Sequence, residues 1–166
     1  LGKIAVIGPN AKEVKELTCR YGPARAPIKT VYEGISEYLP DAEVGYAKGC
    51  DIIDKYFPES ELYDVPLDAK EQEKINEAVE LAKASDIAII VLGGNERTVR
   101  ESLSRTSLDL CGRQEQLLQA VYATGKPVVL VMVDGRAATI NWANKHIPAI
   151  VHALSLIHIS EPTRRS

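Results

Sequence analysis

The chain has 166 residues, the length of a single domain, and its 45% hydrophobic and 26% charged residues are the balance of a globular protein with a real core. A net charge of −3 and a pI near 5.7, with no basic stripe interleaved with aromatics, argue against a nucleic-acid partner. No apolar run nears the roughly 18 residues of a membrane span, so the sequence offers no membrane partner either.

Lys3–Ile7 (KIAVI) is a short β-branched run stopped by Gly8-Pro9-Asn10, the pattern of a buried strand and a turn. Residues 31–39 carry Val31, Ile35 and Leu39 at helical spacing, and Pro40 stops them. Glu43–Ala47 reads as a second strand, followed by a long loop over residues 49–68 containing Pro58 and Pro66. Asp68 with Glu71 three residues later forms a capping box for a helix over 69–84, whose inner face is Ile75, Ala78, Val79 and Ala82. Residues 86–92 (DIAIIVL) are almost continuously apolar, as a central parallel strand buried on both faces requires.

A helix is predicted over 113–123, with Leu117, Leu118, Val121 and Tyr122 facing inward and Gly125 as its C-terminal cap. PVVLVMV at 127–133 is another fully buried strand, 140–144 a short helical or irregular piece, and Ala149–Ala153 a further strand. No internal repeat is present. Alternating strands and helices predict an α/β fold, a three-layer sandwich with a mostly parallel sheet and helices on both faces.

Cys19, Cys50 and Cys111 are odd in number and lack C-x-x-C spacing, so they read as isolated thiols and not as a disulfide framework or a zinc site. Leu1 leads directly into the first strand with no leader-like segment. The natural domain is expected to span residues 1–153. The remaining segment, 154–166 (LSLIHISEPTRRS), departs from the α/β pattern, and its first eleven residues resemble the conceptual translation of a transposon-end sequencing adapter. It is read as a non-native tail.

Open parallel sheets bind ligands at the carboxyl ends of their strands. Three such ends are visible: Gly8-Pro9-Asn10, residues 93–110, and Asp134-Gly135-Arg136. Neither G-x-G-x-x-G nor G-x-x-x-x-G-K-[ST] occurs, which argues against a phosphate cradle and with it a free-standing flavodoxin-like binding module. The loop 93–110 reads GGNERTVRESLSRTSLDL and is long for a connector. Its carboxylates (Glu96, Glu101, Asp109) and guanidiniums (Arg97, Arg100, Arg105) suit sugar recognition and proton transfer. Composition alone favours a solvated connector over such a site. No metal constellation appears.

The blocks KIAVIGPNA, YAKGCDI, AVELAKASDIAIIVLGGNE, ESLSRTSLDLCGRQEQLLQAV, ATGKPVVLVMVDGRAATINWA and IPAIVHA, in this order, resemble the C-terminal α/β sandwich domain of family 3 glycoside hydrolases, the β-glucosidases, β-xylosidases and relatives. The resemblance covers residues 2–153 and implies an incomplete domain of a retaining β-glycosidase that needs no cofactor. The carbohydrate substrate would be a terminal β-glycoside, and a missing N-terminal barrel domain would carry the nucleophilic aspartate. In the family a glutamate, a few residues later an Arg or Asp, and then a hydrophobic–polar–hydrophobic run follow the strand matched by 86–92. Here that becomes Glu101, Arg105 and Leu108-Asp109-Leu110, so the resemblance implies Glu101 as general acid/base, with Glu96 the alternative. Glu96 and Arg105 are the substrate-binding candidates. The usual Leu-Pro-Gly is Leu110-Cys111-Gly112 here. On this reading the fragment alone is inactive; the competing reading is a non-catalytic domain that buttresses the barrel. Arg136 is a candidate for orienting Asp109 or the acid/base loop. Trp142 reads as a core or interface aromatic, and His146 and His152 as structural.

Overall fold

The computed structural model describes residues 2–14 and 27–153; Cys19 and the adapter-like segment 154–166 lie outside the described residues. In chain order the elements are β1 (Lys3–Ile7), α1 (Val31–Tyr38), β2 (Glu43–Ala47), a 3-10 turn (Glu59–Glu61), α2 (Ala69–Lys83), β3 (Ile87–Gly93), α3 (Gln114–Tyr122), β4 (Val128–Val133), α4 (Asn141–His146) and β5 (Ala149–Ala153). The five strands form one sheet in the order β2-β1-β3-β4-β5, and every pairing is parallel.

The period-2 alternation of a strand divides each apolar run between two cores. Ala5 and Ile7 of β1, Ala88, Ile90 and Leu92 of β3, and Val128, Leu130 and Met132 of β4 face a layer built from α2, α3 and α4. Ile4, Val6, Ile87, Ile89, Val91 and Val131 face the opposite way, toward α1 and its Val31, Ile35 and Leu39. Two of the three helices read from their spacing start on capping boxes: Asp68 with Glu71 at α2, as predicted, and Thr30 with Glu33 at α1. Tyr122, predicted to face inward, is 38% exposed at the end of α3. It meets Trp142 and His146 edge-on, and those two rings stack 4.3 Å apart. The helical period places Tyr122 beside Leu118, but Tyr122 is the last residue of α3, and its ring packs against the α4 aromatics.

The fold fixes where the chain can meet a ligand. After β1 the chain moves to β2 on one side; from β3 onward it moves to the other, so a crevice opens at the carboxyl ends of β1 and β3. The backbone is unusually close there. At Gly8 (φ +127°) a Cβ would lie 2.0 Å from the Val91 carbonyl oxygen, and at Gly93 (φ +142°) 1.9 Å from that of Val133. Only glycine fits either position, and each strand end leans over its neighbour.

Candidate functional site

Asn10 closes the crevice from the β1 side. Its side chain is 1% exposed and its Nδ2 donates to the carbonyls of Gly94 and Val133, both at 3.1 Å. Gln114, the first residue of α3 and fully buried, closes it from beneath. Its Oε1 accepts from Gly93 N at 2.8 Å, and its Nε2 donates to Gly93 O at 3.0 Å and Cys111 O at 3.2 Å. The strand end that launches the loop is therefore held by two amides. Neither was singled out in the sequence, although Gln114 carries a signal: it precedes Leu117 and Leu118 by three and four residues, on the apolar face of α3.

The loop 94–110 is not a solvated connector. Asn95 opens it as a single turn, its Oδ1 accepting from Arg97 N at 2.9 Å and its carbonyl from Thr98 N and Val99 N. Thr98 is 1% exposed, and its hydroxyl oxygen accepts from Asn95 N at 2.8 Å. Residues 100–102 then form an exposed turn in which Ser102 has a left-handed φ of 61°. Glu101 stands on this turn, exposed to solvent. Glu96, in the Asn95 turn, is half-buried.

Past Glu101 the loop is braced at three points. Arg136, from the end of β4, donates its Nη2 to Leu103 O at 3.3 Å. Arg105 pairs through Nε with Glu61 Oε1 at 2.5 Å, with the two side chains 9% and 7% exposed, and its Nη2 donates to Asp109 O at 2.8 Å. Asp109 accepts from the hydroxyls of Thr139 and Ser107, and Thr139 N donates to Leu108 O at 2.8 Å. The Thr139 and Ser107 hydroxyls hold the Asp109 carboxyl below its ordinary range. Arg136 thus holds the loop, as the sequence suggested, through Leu103; Asp109 is held by Thr139. A groove of about 200 Å³ beside this segment is lined by Phe57, Glu61, Tyr63, Arg105, Asp109 and Cys111 among others.

The sequence blocks carried by these elements resemble the C-terminal α/β sandwich domain of family 3 glycoside hydrolases. The comparisons agree: the glycosyl hydrolase family 3 C-terminal domain matches residues 1–156. The chain belongs to that family. The family 3 domain is 34% identical over 155 residues to a beta-xylosidase of Formosa agariphila, which covers 89% of this chain and 19% of the relative. It is 34% identical over 158 residues to a periplasmic beta-glucosidase of Salmonella typhimurium, covering 90% of this chain and 21% of that one. Among solved structures, the β-glucosidase EmGH1 from Erythrobacter marinus superposes with a TM-score of 0.75 at 31% identity, over 92% of this chain and 22% of the other. The chain spans about a fifth of the length of these relatives.

Three further side chains of the family 3 domain bear on its chemistry. Cys50 and Cys111 are buried free thiols, and burial pushes them up to about 12 and about 11, so both stay protonated and unreactive at neutral pH. Asp134, at the end of β4, is half-buried, and that burial raises its carboxyl above the ordinary 3.8 despite hydrogen bonds from Gly135 N and Arg136 N. A carboxyl titrating higher when folded than unfolded favours the folded state below the unfolded value; the contribution is lost as pH rises through the folded one. Asp134→Asn keeps an oxygen for both N–H groups. It should raise the melting temperature at pH 7–8 relative to the parent, with the gap narrowing as pH approaches 4; a gap constant across that range would rule out ionisation of Asp134 as its source. Among the described residues no three His, Cys, Asp or Glu side chains converge as metal ligands.

Proposed function

We propose that the complete protein is a retaining β-glycosidase of β-glucosidase or β-xylosidase type, and that this domain lends it the general acid/base, Glu101. The observation that carries the reading is the position of Glu101: solvent-facing, on a left-handed turn, in a loop braced on both sides at the carboxyl end of β3, within a family 3 domain. An aspartate of an N-terminal barrel attacks the anomeric carbon while Glu101 gives its proton to the departing glycosidic oxygen. Glu101 then takes a proton from the water that releases the sugar. Retention requires the two carboxyls roughly 5–5.5 Å apart, so the barrel mouth must close over the turn at 100–102. That closure also buries Glu101, which favours the protonated form needed for the first step.

Large apolar side chains exposed on the segments flanking the groove (Tyr56, Leu62, Tyr63 and Leu108, each 50–67% exposed) give such a barrel a surface to bury. Arg105 serves the site by holding the loop, since its Nε and Nη2 are engaged by Glu61 and the Asp109 carbonyl. Glu96, half-buried in the Asn95 turn, is the carboxylate we assign to a sugar hydroxyl. Proton NMR of an aryl β-glucoside or β-xyloside during hydrolysis by the complete protein should show the β-anomer of the sugar first, with the α-anomer appearing only by mutarotation. Initial release of the α-anomer would exclude the double displacement.

A further inference from the structure

The loop 49–68 enters the reading above only as a surface for the barrel and as the partner of Arg105, yet its Glu61 takes hydrogen bonds from several groups just past the turn that carries Glu101. Glu61 lies on the 3-10 turn Glu59–Glu61. Its Oε1 pairs with Arg105 Nε and lies 3.8 Å from Cys111 Sγ; its Oε2 accepts from Thr106 N at 3.0 Å and Thr106 Oγ1 at 2.9 Å. Every one of these donors follows Glu101 in the chain. Burial alone would raise the Glu61 carboxyl, but the Thr106 N–H, the Arg105 guanidinium and the Thr106 hydroxyl outweigh it and lower it overall. Glu61 is therefore a buried anion serving one short segment, 44 residues away, that begins four residues past Glu101.

We infer that Glu61 is a positioning residue for general acid catalysis: by seating Arg105 and Thr106 it fixes the trailing arm of the turn and so the direction in which Glu101 presents its proton. The inference rests on the assignment of Glu101 as acid/base. The leading arm is independently fixed by the Asn95 turn and the middle by Arg136 on Leu103 O, so release of the Glu61 clamp swings the turn without unfolding the sheet. Glutamine at position 61 has nearly the shape of the glutamate, but it presents either a neutral oxygen or an NH₂ to Arg105. The guanidinium is left buried without its counter-charge.

The test is a leaving-group comparison in the complete glycosidase. Glu61→Gln is expected to lower kcat/KM at least tenfold on a glycoside with an alkyl or sugar leaving group, and less than threefold on the 2,4-dinitrophenyl glycoside, which departs without a proton. Glu61→Asp, which keeps the charge, should recover part of the loss, and it supplies the same ratio if the glutamine variant does not accumulate folded. In a Glu101→Ala background Glu61→Gln should add no further leaving-group dependence. An equal loss on both substrates would reduce Glu61 to a structural clamp and overturn the inference. Glu101→Ala run in parallel separates the two failures: if that variant itself shows no leaving-group dependence, the acid/base assignment has failed; if it does and Glu61→Gln does not, only the positioning role has.

Discussion

Glu101→Ala in the complete enzyme should lose roughly 10²–10⁴-fold in kcat/KM on glycosides with poor leaving groups and far less on dinitrophenyl glycosides. At about 1.4 kcal/mol for each factor of ten, that is roughly 3–5.5 kcal/mol of transition-state stabilisation. The asymmetry follows from the two roles of the residue. As an acid it matters only where the departing oxygen needs a proton; as a base it matters in the second step for every substrate. With an activated substrate the first step stays fast and the glycosyl-enzyme accumulates. Azide, a nucleophile that needs no general base, should then restore turnover and yield the β-glycosyl azide. The basic limb of the pH profile of kcat/KM, set by ionisation of the acid, should vanish in the alanine variant. Glu96→Ala, measured beside it, discriminates between the two candidates: leaving-group dependence and azide rescue in Glu96→Ala but not in Glu101→Ala would transfer the role to Glu96. Equal loss on all leaving groups without rescue in both would leave the domain without an acid/base.

The elements that could be read from the chain are those whose signal is local. IAIIVLG and VVLVMV announce central strands because a parallel sheet covered on both faces leaves no polar position within them. Asp68 and Glu71 announce α2 because both halves of a capping box lie three residues apart. The loop 94–110 could be located by its length and by the strand end from which it leaves. What holds it could not be located: Glu61 meets Arg105 across 44 residues, Asn10 meets Gly94 across 84, and Thr139 meets Asp109 across 30. Each partner belongs to a different strand-end loop, and their convergence depends on the strand order β2-β1-β3-β4-β5, which no local pattern encodes. The partner of Arg105, a substrate-binding candidate in the sequence, was hidden for the same reason. In sequence Arg105 is a charge in a polar loop; in the fold its partner arrives from 49–68 and turns it inward. Tyr122 differs for another reason: helical spacing identifies a face of α3, but not that its last residue is partly exposed and packs against Trp142 and His146.

Gln114 is where fold and site meet, and Gln114→Ala should cost the domain about 3–5 kcal/mol, read as a lowered urea midpoint. The side chain is fully buried and satisfies Gly93 N, Gly93 O and Cys111 O. Gly93 cannot retreat to other partners, since its backbone already lies against the Val133 carbonyl. Removing the amide leaves buried backbone groups unpaired at about 1–3 kcal/mol each, partly relieved where water enters the space vacated. Leucine fills the volume but satisfies none of them, so Gln114→Leu should be no better than alanine. Glutamate separates hydrogen bonding from shape. Ionised, it can accept from Gly93 N but cannot donate to Gly93 O or Cys111 O, and it places a charge at full burial. Protonated, it recovers one donor. Its folded carboxyl must therefore titrate above the unfolded value, so Gln114→Glu should be at least as destabilised as alanine at pH 8 and regain stability as pH falls toward 5. Loss of the amide also frees the root of the loop, so the same variants should make residues 93–98 exchange their amide protons faster while β1 stays protected. If Gln114→Ala instead unfolds within 1 kcal/mol of the parent, the strand end is held by Asn10 and Gly94 alone, and the rigidity assigned to the acid/base loop begins at Asn95.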